Sequence, residues 1–243
     1  MSSFWKNAPL NKVISEDINI HRVDIEKVKP GKRLNIQKAD DQFFITNAAG
    51  ALGYAYAAFI IALIFPIIII IAHIFLGADK VDNTAYLLSV PFLLIGLFQV
   101  LVFLYVPKKE IILDRLNGKI TYPRLFFNKE HRTIQFDSLH VFHTATTSGD
   151  MLPTGTEIRI RDRRYDYQWT LESDEPLEYW SFMVWYMDKN RPLPPGTAFD
   201  AYRQKDFERR KAEGFPKPLY PTRIATPEAT AQQQRERRKI GKW

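Results

Sequence analysis

The stretch AAFIIALIFPIIIIIAHIFLGADK, Ala57–Lys80, carries no charged side chain before Asp79 and holds one proline and one histidine among isoleucines. It is either the buried centre of a water-soluble domain or a segment that crosses a bilayer, and its surroundings decide between them. From Gln42 to Ala78 there is no Asp, Glu, Lys or Arg, and from Asn83 to Pro107 there is again none. A helix buried in a globular domain keeps an edge in water, and two adjacent charge-free runs leave no such edge. A bilayer takes about 20 consecutive apolar residues per helix. Ala51–Leu76 and Thr84–Val106 both meet that length, so the sequence predicts a transmembrane α-helical hairpin. The first run starts far from the basic N-terminus that a cleaved secretory leader needs.

Charge outside the runs sets the expected orientation. Residues 1–50 hold eight Lys and Arg, the link Gly77–Asn83 holds only Lys80 against Asp79 and Asp82, and Lys108 and Lys109 follow the second run. Lys and Arg near span ends mark the cytoplasmic side, which places both termini in the cytoplasm. The net charge of +7 follows from this layout, so the basic balance reads as topology and anionic-lipid contact, not as nucleic-acid binding. The 243 residues contain no cysteine, which excludes disulfides, thiolate metal sites and thiol nucleophiles.

Three residues interrupt the runs. Pro66 and Pro91 each remove a backbone hydrogen bond and predict kinks. His73 is the one imidazole in the first run. It reads either as a proton or ion path or as a ring close enough to Gly77 to reach water. Gly50, Gly53, Ala57 and Gly96 offer small faces for helix contact or for a homo-oligomer.

Beyond the runs the period changes to two. EIILDRLNGKITYPR is a hairpin whose turn centres on Asn117-Gly118. RTIQFDSLHVFHT adds Ile134, Phe136, Leu139 and Val141. In TEIRIRDRRYDYQWTLE, Ile158 and Ile160 alternate with Arg159 and Arg161. After a turn at Asp162–Arg164 comes a last strand over Tyr165–Leu171. Arg159, Arg161, Arg163 and Arg164 form a candidate interaction surface. Ser173 or Asp174 then caps an amphipathic helix with Pro176 in its first turn and Leu177, Trp180, Val184 and Met187 on one face. A further helix over 197–213 stops at Gly214, Phe199, Tyr202 and Phe207 offer docking side chains, and a short basic helix starts at Thr226-Pro227-Glu228. The final QQQRERRKIGKW reads as solvated. The expected organisation is an arm over 1–50, a membrane hairpin over 51–106, an α+β domain over 107–191 and a helical basic tail over 192–243. Ile18–Val23 is the arm's candidate strand.

Strand hairpins followed by a tryptophan-bearing helix resemble the pleckstrin-homology-like fold, in the bacterial form that sits directly behind a pair of membrane helices. The resemblance covers residues 108–190. It would bring Arg115, Lys119 and Arg124 nearest to the headgroup-binding cations of lipid-binding members, but Pro123 interrupts the strand and the lipid site is not carried over. The two runs, the LDRLNGKI hairpin and the GFPKPLY segment together resemble a group of proteobacterial inner-membrane proteins. That group is associated with contact-dependent and type VI secretion toxin systems as immunity or accessory partners.

No catalytic constellation emerges. His131, His140 and His143 surround Asp137, but residues three apart on a strand point to opposite faces. No nucleophile elbow, phosphate-binding glycine loop or HExxH occurs. No cofactor or metal is expected. Three readings remain open: a non-enzymatic protein-interaction module held at the membrane, a two-span effector that oligomerises and permeabilises the bilayer, and an enzyme built on the histidine cluster.

Overall fold

The computed structural model describes residues 8–9, 12, 14, 20–31, 36–47, 64, 66–75, 83–105, 110–123, 131–147, 153–162, 167–171, 175–222 and 224–243. Within these, the side chains at 83, 85–86, 88, 99–105, 143–147, 153–157, 162 and 167–170 lie outside the description. The chain is α+β and forms two compact units. One comprises Met1–Asn47, Glu110–Tyr122 and His131–Trp243, and the other Ala48–Lys109 with Pro123–Glu130. The segments read separately from the sequence as 1–50, 107–191 and 192–243 thus contribute to one unit.

The first unit contains two sheets. Strands β2 (Ile36–Ala39), β3 (Phe43–Asn47), β4 (Glu110–Asp114), β5 (Lys119–Pro123) and β6 (His131–Gln135) form an antiparallel sheet in that order. Strands β1 (Ala8–Pro9), β7 (His140–Thr147), β8 (Pro153–Asp162) and β9 (Tyr167–Leu171) form the second sheet, also antiparallel and also in that order. The arm therefore supplies strands, though not at the expected place. Ile20–Val23 lies in no strand, and residues 18–19 are outside the described set. Val23 is instead fixed by its amide on the Pro195 carbonyl and its carbonyl under the Ala198 amide, at 3.4 and 3.1 Å.

Local chemistry accounts for the turns. Asp40 accepts from the amides of Gln42 and Phe43 at 2.8 and 2.5 Å, which folds the chain between β2 and β3. The β4–β5 turn spans four residues, Arg115 to Gly118. Only Gly118 takes a positive φ, +64°, while Asn117 bonds the Asp114 carboxylate through its amide nitrogens at 3.2 and 2.7 Å. A two-residue Asn-Gly turn would need positive φ at both positions. The Asp114–Asn117 bonds select the longer turn.

β3 and β4 are neighbours in register, with Phe43 opposite Asp114 and Asn47 opposite Glu110. The chain leaves the sheet after Asn47 and re-enters it directly opposite, at Glu110.

Helix α3 (Pro176–Met187) fills the centre of the first unit. Pro176 occupies its first turn as expected, but the N-cap position falls on Glu175, which makes no side-chain cap; Ser173 and Asp174 are outside the described residues. The expectation of an amphipathic helix does not hold. Every residue from Trp180 to Met187 is buried, because partners surround the helix. Trp180 stacks on Phe136, Phe182 and Tyr186 meet Phe44, and the same two rings meet Phe199 from the tail. His21 closes on Tyr179 and Phe182. Burying one such side chain contributes about 1.5–3 kcal/mol. On the adjoining sheet Ile158 and Ile160 are fully buried as their alternation predicts. Phe136 sits in a 3-10 turn over Phe136–Ser138 that ends β6.

The tail belongs to this core. A 3-10 turn over Thr197–Tyr202 leads into α4 (Arg203–Ala212), and Gly214 follows at φ +75°. α5 (Ala231–Gly241) begins several residues later than Thr226-Pro227-Glu228. Thr230 accepts from the Gln233 amide at 3.2 Å while the Gln233 side chain returns to the Thr230 amide at 3.2 Å, a capping box. The terminal segment is docked along one side and exposed along the other: the Trp243 indole donates to the Phe215 carbonyl at 2.8 Å, and Arg237 lies 4.3 Å from its ring.

The second unit holds α1, residues 66–75, and α2 (Asn83–Tyr105), a helix of 23 residues with no charged residue in either terminal turn. Among the described residues no helix is long and apolar enough to cross a membrane. Of α2, the side chains at 84, 87 and 89–98 are described.

Candidate functional site

Burial on the two helices of the second unit is inverted relative to a protein in water. On α1, Pro66 and Ile69 are buried, while Ile67, Ile68, Ile70, Ile71, Ile74 and Phe75 are exposed, Phe75 to 82%. Among the described residues of α2 the buried ones are Ser89 and Gly96, one polar and one without a side chain. Leu87, Val90, Leu93, Leu94, Ile95, Leu97 and Phe98 are exposed, Leu87 to 72%. On both helices most of the described large apolar side chains are exposed. His73 is exposed on α1, and Pro91 lies inside α2 on an exposed position.

The arginine row sits on β8. Arg159 is half-buried and Arg161 exposed, on the face opposite Ile158 and Ile160; Arg163 and Arg164 lie outside the described residues. β8 is flanked by β7 and β9, so the row lies on the face of the sheet and not along a free edge. His131 and His140 are exposed, and His140 stands opposite Arg161 in register. Among the described residues no group of three His, Cys, Asp or Glu side chains could hold a metal ion.

The most organised polar constellation was not legible in the sequence. Arg115 has no accessible surface. Its guanidinium donates to Asp206 of α4 and to the Arg191 carbonyl, the latter at 2.6 Å. The other Asp206 oxygen accepts from Arg210 Nε at 2.9 Å. Arg210 grips Glu228 with both terminal nitrogens at 2.8 Å, and Glu228 also accepts from Arg237 at 3.1 Å. Burial opposes ionisation of Asp206, but Arg115 and Arg210 together outweigh it and hold its carboxyl below the usual carboxylate range. A parallel pair, Asp188 with Arg191, receives the Leu219 and Tyr220 amides on Asp188 at 3.0 and 3.2 Å. Bidentate, charge-assisted contacts of this kind are the strong form of the hydrogen bond. The network joins the β4–β5 turn, α4, the Glu228 connector and α5. With Arg115 sealed inside it, the pattern-level likeness to a headgroup-binding hairpin loses its nearest cation.

Comparison with protein-family models, with curated proteins and with solved structures finds no match to this chain.

Proposed function

We propose that the chain is an integral inner-membrane protein in which a two-helix hairpin anchors a cytoplasmic α+β module that binds another protein. One observation carries the reading: two charge-free helices on which most of the described large apolar side chains are exposed, while Ser89 and Gly96 are buried. A water-soluble monomer rarely exposes an apolar patch beyond a few hundred Å². A helix apolar on all sides needs a protein core or hydrocarbon around it. At 1.5 Å per residue, the 23 residues of α2 extend about 34 Å, against about 30 Å of hydrocarbon in a bilayer. The Asn47–Glu110 pair supports a shared compartment for both termini, because one folded unit is built from chain on either side of the hairpin.

A tethered module confines itself and its partner to a thin layer and raises their effective concentration. Its role is binding, without a reaction step. The sequence resemblance supplies the setting, in which the partner is a toxin or secretion component at the inner membrane. The test is fractionation with reporters fused to both ends, followed by a protection assay. The reading expects carbonate-resistant membrane association, cytoplasmic reporters at both termini, and toxin resistance lost on removing residues 51–106 or the module. Reporters on opposite sides, or a chain monodisperse in buffer without detergent, would overturn it. Collapse of the membrane potential on expression would identify a permeabilising effector instead.

A further inference from the structure

We infer that the outer face of α5 is a docking surface for an acidic segment of a partner protein. The inference rests on the membrane-module reading and adds to it the surface and the chemistry of the partner. Arg235, Arg238 and Lys239 recur at i, i+3 and i+4 on α5, which places them in one stripe, and Lys242 follows the helix at its left-handed C-cap. All four are exposed, whereas Arg237 on the opposite side is buried against Glu228. Glu236, the one carboxylate on the helix, is already paired with Lys211 at 2.6 Å. Arg235 bonds only the Ala231 carbonyl of its own helix, and among the described residues no carboxylate pairs with any of the four. The neighbouring cations behave differently. Arg203, Lys205, Arg209, Arg210 and Lys211 each have a carboxylate partner.

One ordinary explanation of a basic stripe fails here. Topology-setting charges act within roughly 15–20 residues of a span end, and α5 lies far beyond that range. The stripe is also held rigidly, by the Thr230 capping box at one end and the Trp243–Phe215 bond at the other. A preorganised row of unpaired cations loses little entropy on meeting carboxylates, and complementary charge speeds and orients the encounter.

The experiment uses the full chain in nanodiscs and a fluorescent Glu/Asp-rich peptide, with binding read by anisotropy at low and high salt. The inference expects salt-sensitive binding that weakens about tenfold or more in R235Q/R238Q/K239Q. Lys242 is left in place because its backbone has φ 59°. A control, K29Q/K119Q/K217Q, removes the same charge from other exposed positions and leaves the affinity unchanged. Equal weakening by both variants, or no binding, overturns the stripe. Tighter binding of a single-stranded oligonucleotide with the same sensitivity overturns the partner class in favour of nucleic acid. If the chain proves monodisperse without detergent, the membrane reading fails, and the same titration in plain buffer still decides the stripe.

Discussion

Arg115 and Phe75 stand at opposite ends of one comparison. The first is a cation with no accessible surface, and the second is a large apolar ring 82% exposed. The unit that holds Arg115 behaves as a protein in water. It surrounds α3 with aromatic rings, and its buried Arg115, Arg210 and Arg191 meet the carboxylates of Asp206, Glu228 and Asp188. In the unit that holds Phe75 most of the described isoleucines and leucines are exposed, while Ser89 and Gly96 are buried. Burial follows the solvent, and the proposed membrane hairpin accounts for the contrast. The largest test severs the two. Replacing residues 48–109 with a two-residue Asn-Gly turn joins Asn47 to Glu110, which already face each other in register. The product should be folded and monodisperse without detergent, by gel filtration and circular dichroism, while the full chain requires detergent. An aggregated product would mean that the exposed residues of the hairpin do more than meet lipid.

Within the water-facing unit the next effect is electrostatic. Asp206→Ala leaves Arg115 and Arg210 buried without their shared carboxylate, and breaking a buried pair from one side costs about 3–5 kcal/mol. Thermal unfolding of the solubilised chain, followed by the emission of the core residues Trp180 and Trp185, should shift strongly. Ile74→Ala, on the other unit, should leave that transition within about 0.5 kcal/mol. A comparable shift from both substitutions would erase the comparison.

What the sequence made legible was local, and what it hid was long-range. The Ile158–Ile160 alternation, the glycine at 118, the proline opening α3 and the stop at Gly214 are each dictated within a few residues. Arg115 is not: its burial depends on Asp206, ninety-one residues further on. Nor is the full burial of α3, since its far side is covered by Phe44 and Phe199 from segments that read as an arm and a tail. Strands β2 and β3 carried only the Asp40-Asp41-Gln42 break as a signal, because neither Ile36–Ala39 nor Phe43–Asn47 alternates apolar with polar residues. The charge-free stretch starting at Gln42 masked it. The T-x-x-Q capping box of α5 was likewise visible, but the more acidic Thr226-Pro227-Glu228 outcompeted it. Glu228 serves the buried network instead.

A smaller effect tests how closely arm and tail approach. Gly196 has φ 130°, and a Cβ there would overlap the backbone of Val23. Gly196→Ala should destabilise the same transition by about 2–3 kcal/mol. Thr230→Ala, which removes only the α5 cap, should cost about 1 kcal/mol. Both read the docking of segments that the sequence left apart, and a neutral Gly196→Ala would mean the arm does not seat on the tail.

The finest test is the pH dependence carried by His21. Its ring packs against Tyr179 and Phe182, and burial, aided by Lys27 and opposed by Asp24, lowers its pKa from the ordinary 6.5. Above 6.5 the ring is neutral in both folded and unfolded chains and adds nothing to the slope. As pH falls below 6.5 the unfolded histidine takes up a proton that the folded one resists, so stability declines toward the lowered folded value. Asp206 works in a different window: its depressed pKa contributes stability above the carboxylate reference of 3.8 that is lost only as pH falls through the folded value. The interval just below 6.5 therefore isolates the histidine. His21→Phe should flatten the unfolding midpoint across that interval while keeping the aromatic contacts. An unchanged slope would place His21 in water, and with it the arm outside the core it is read to complete.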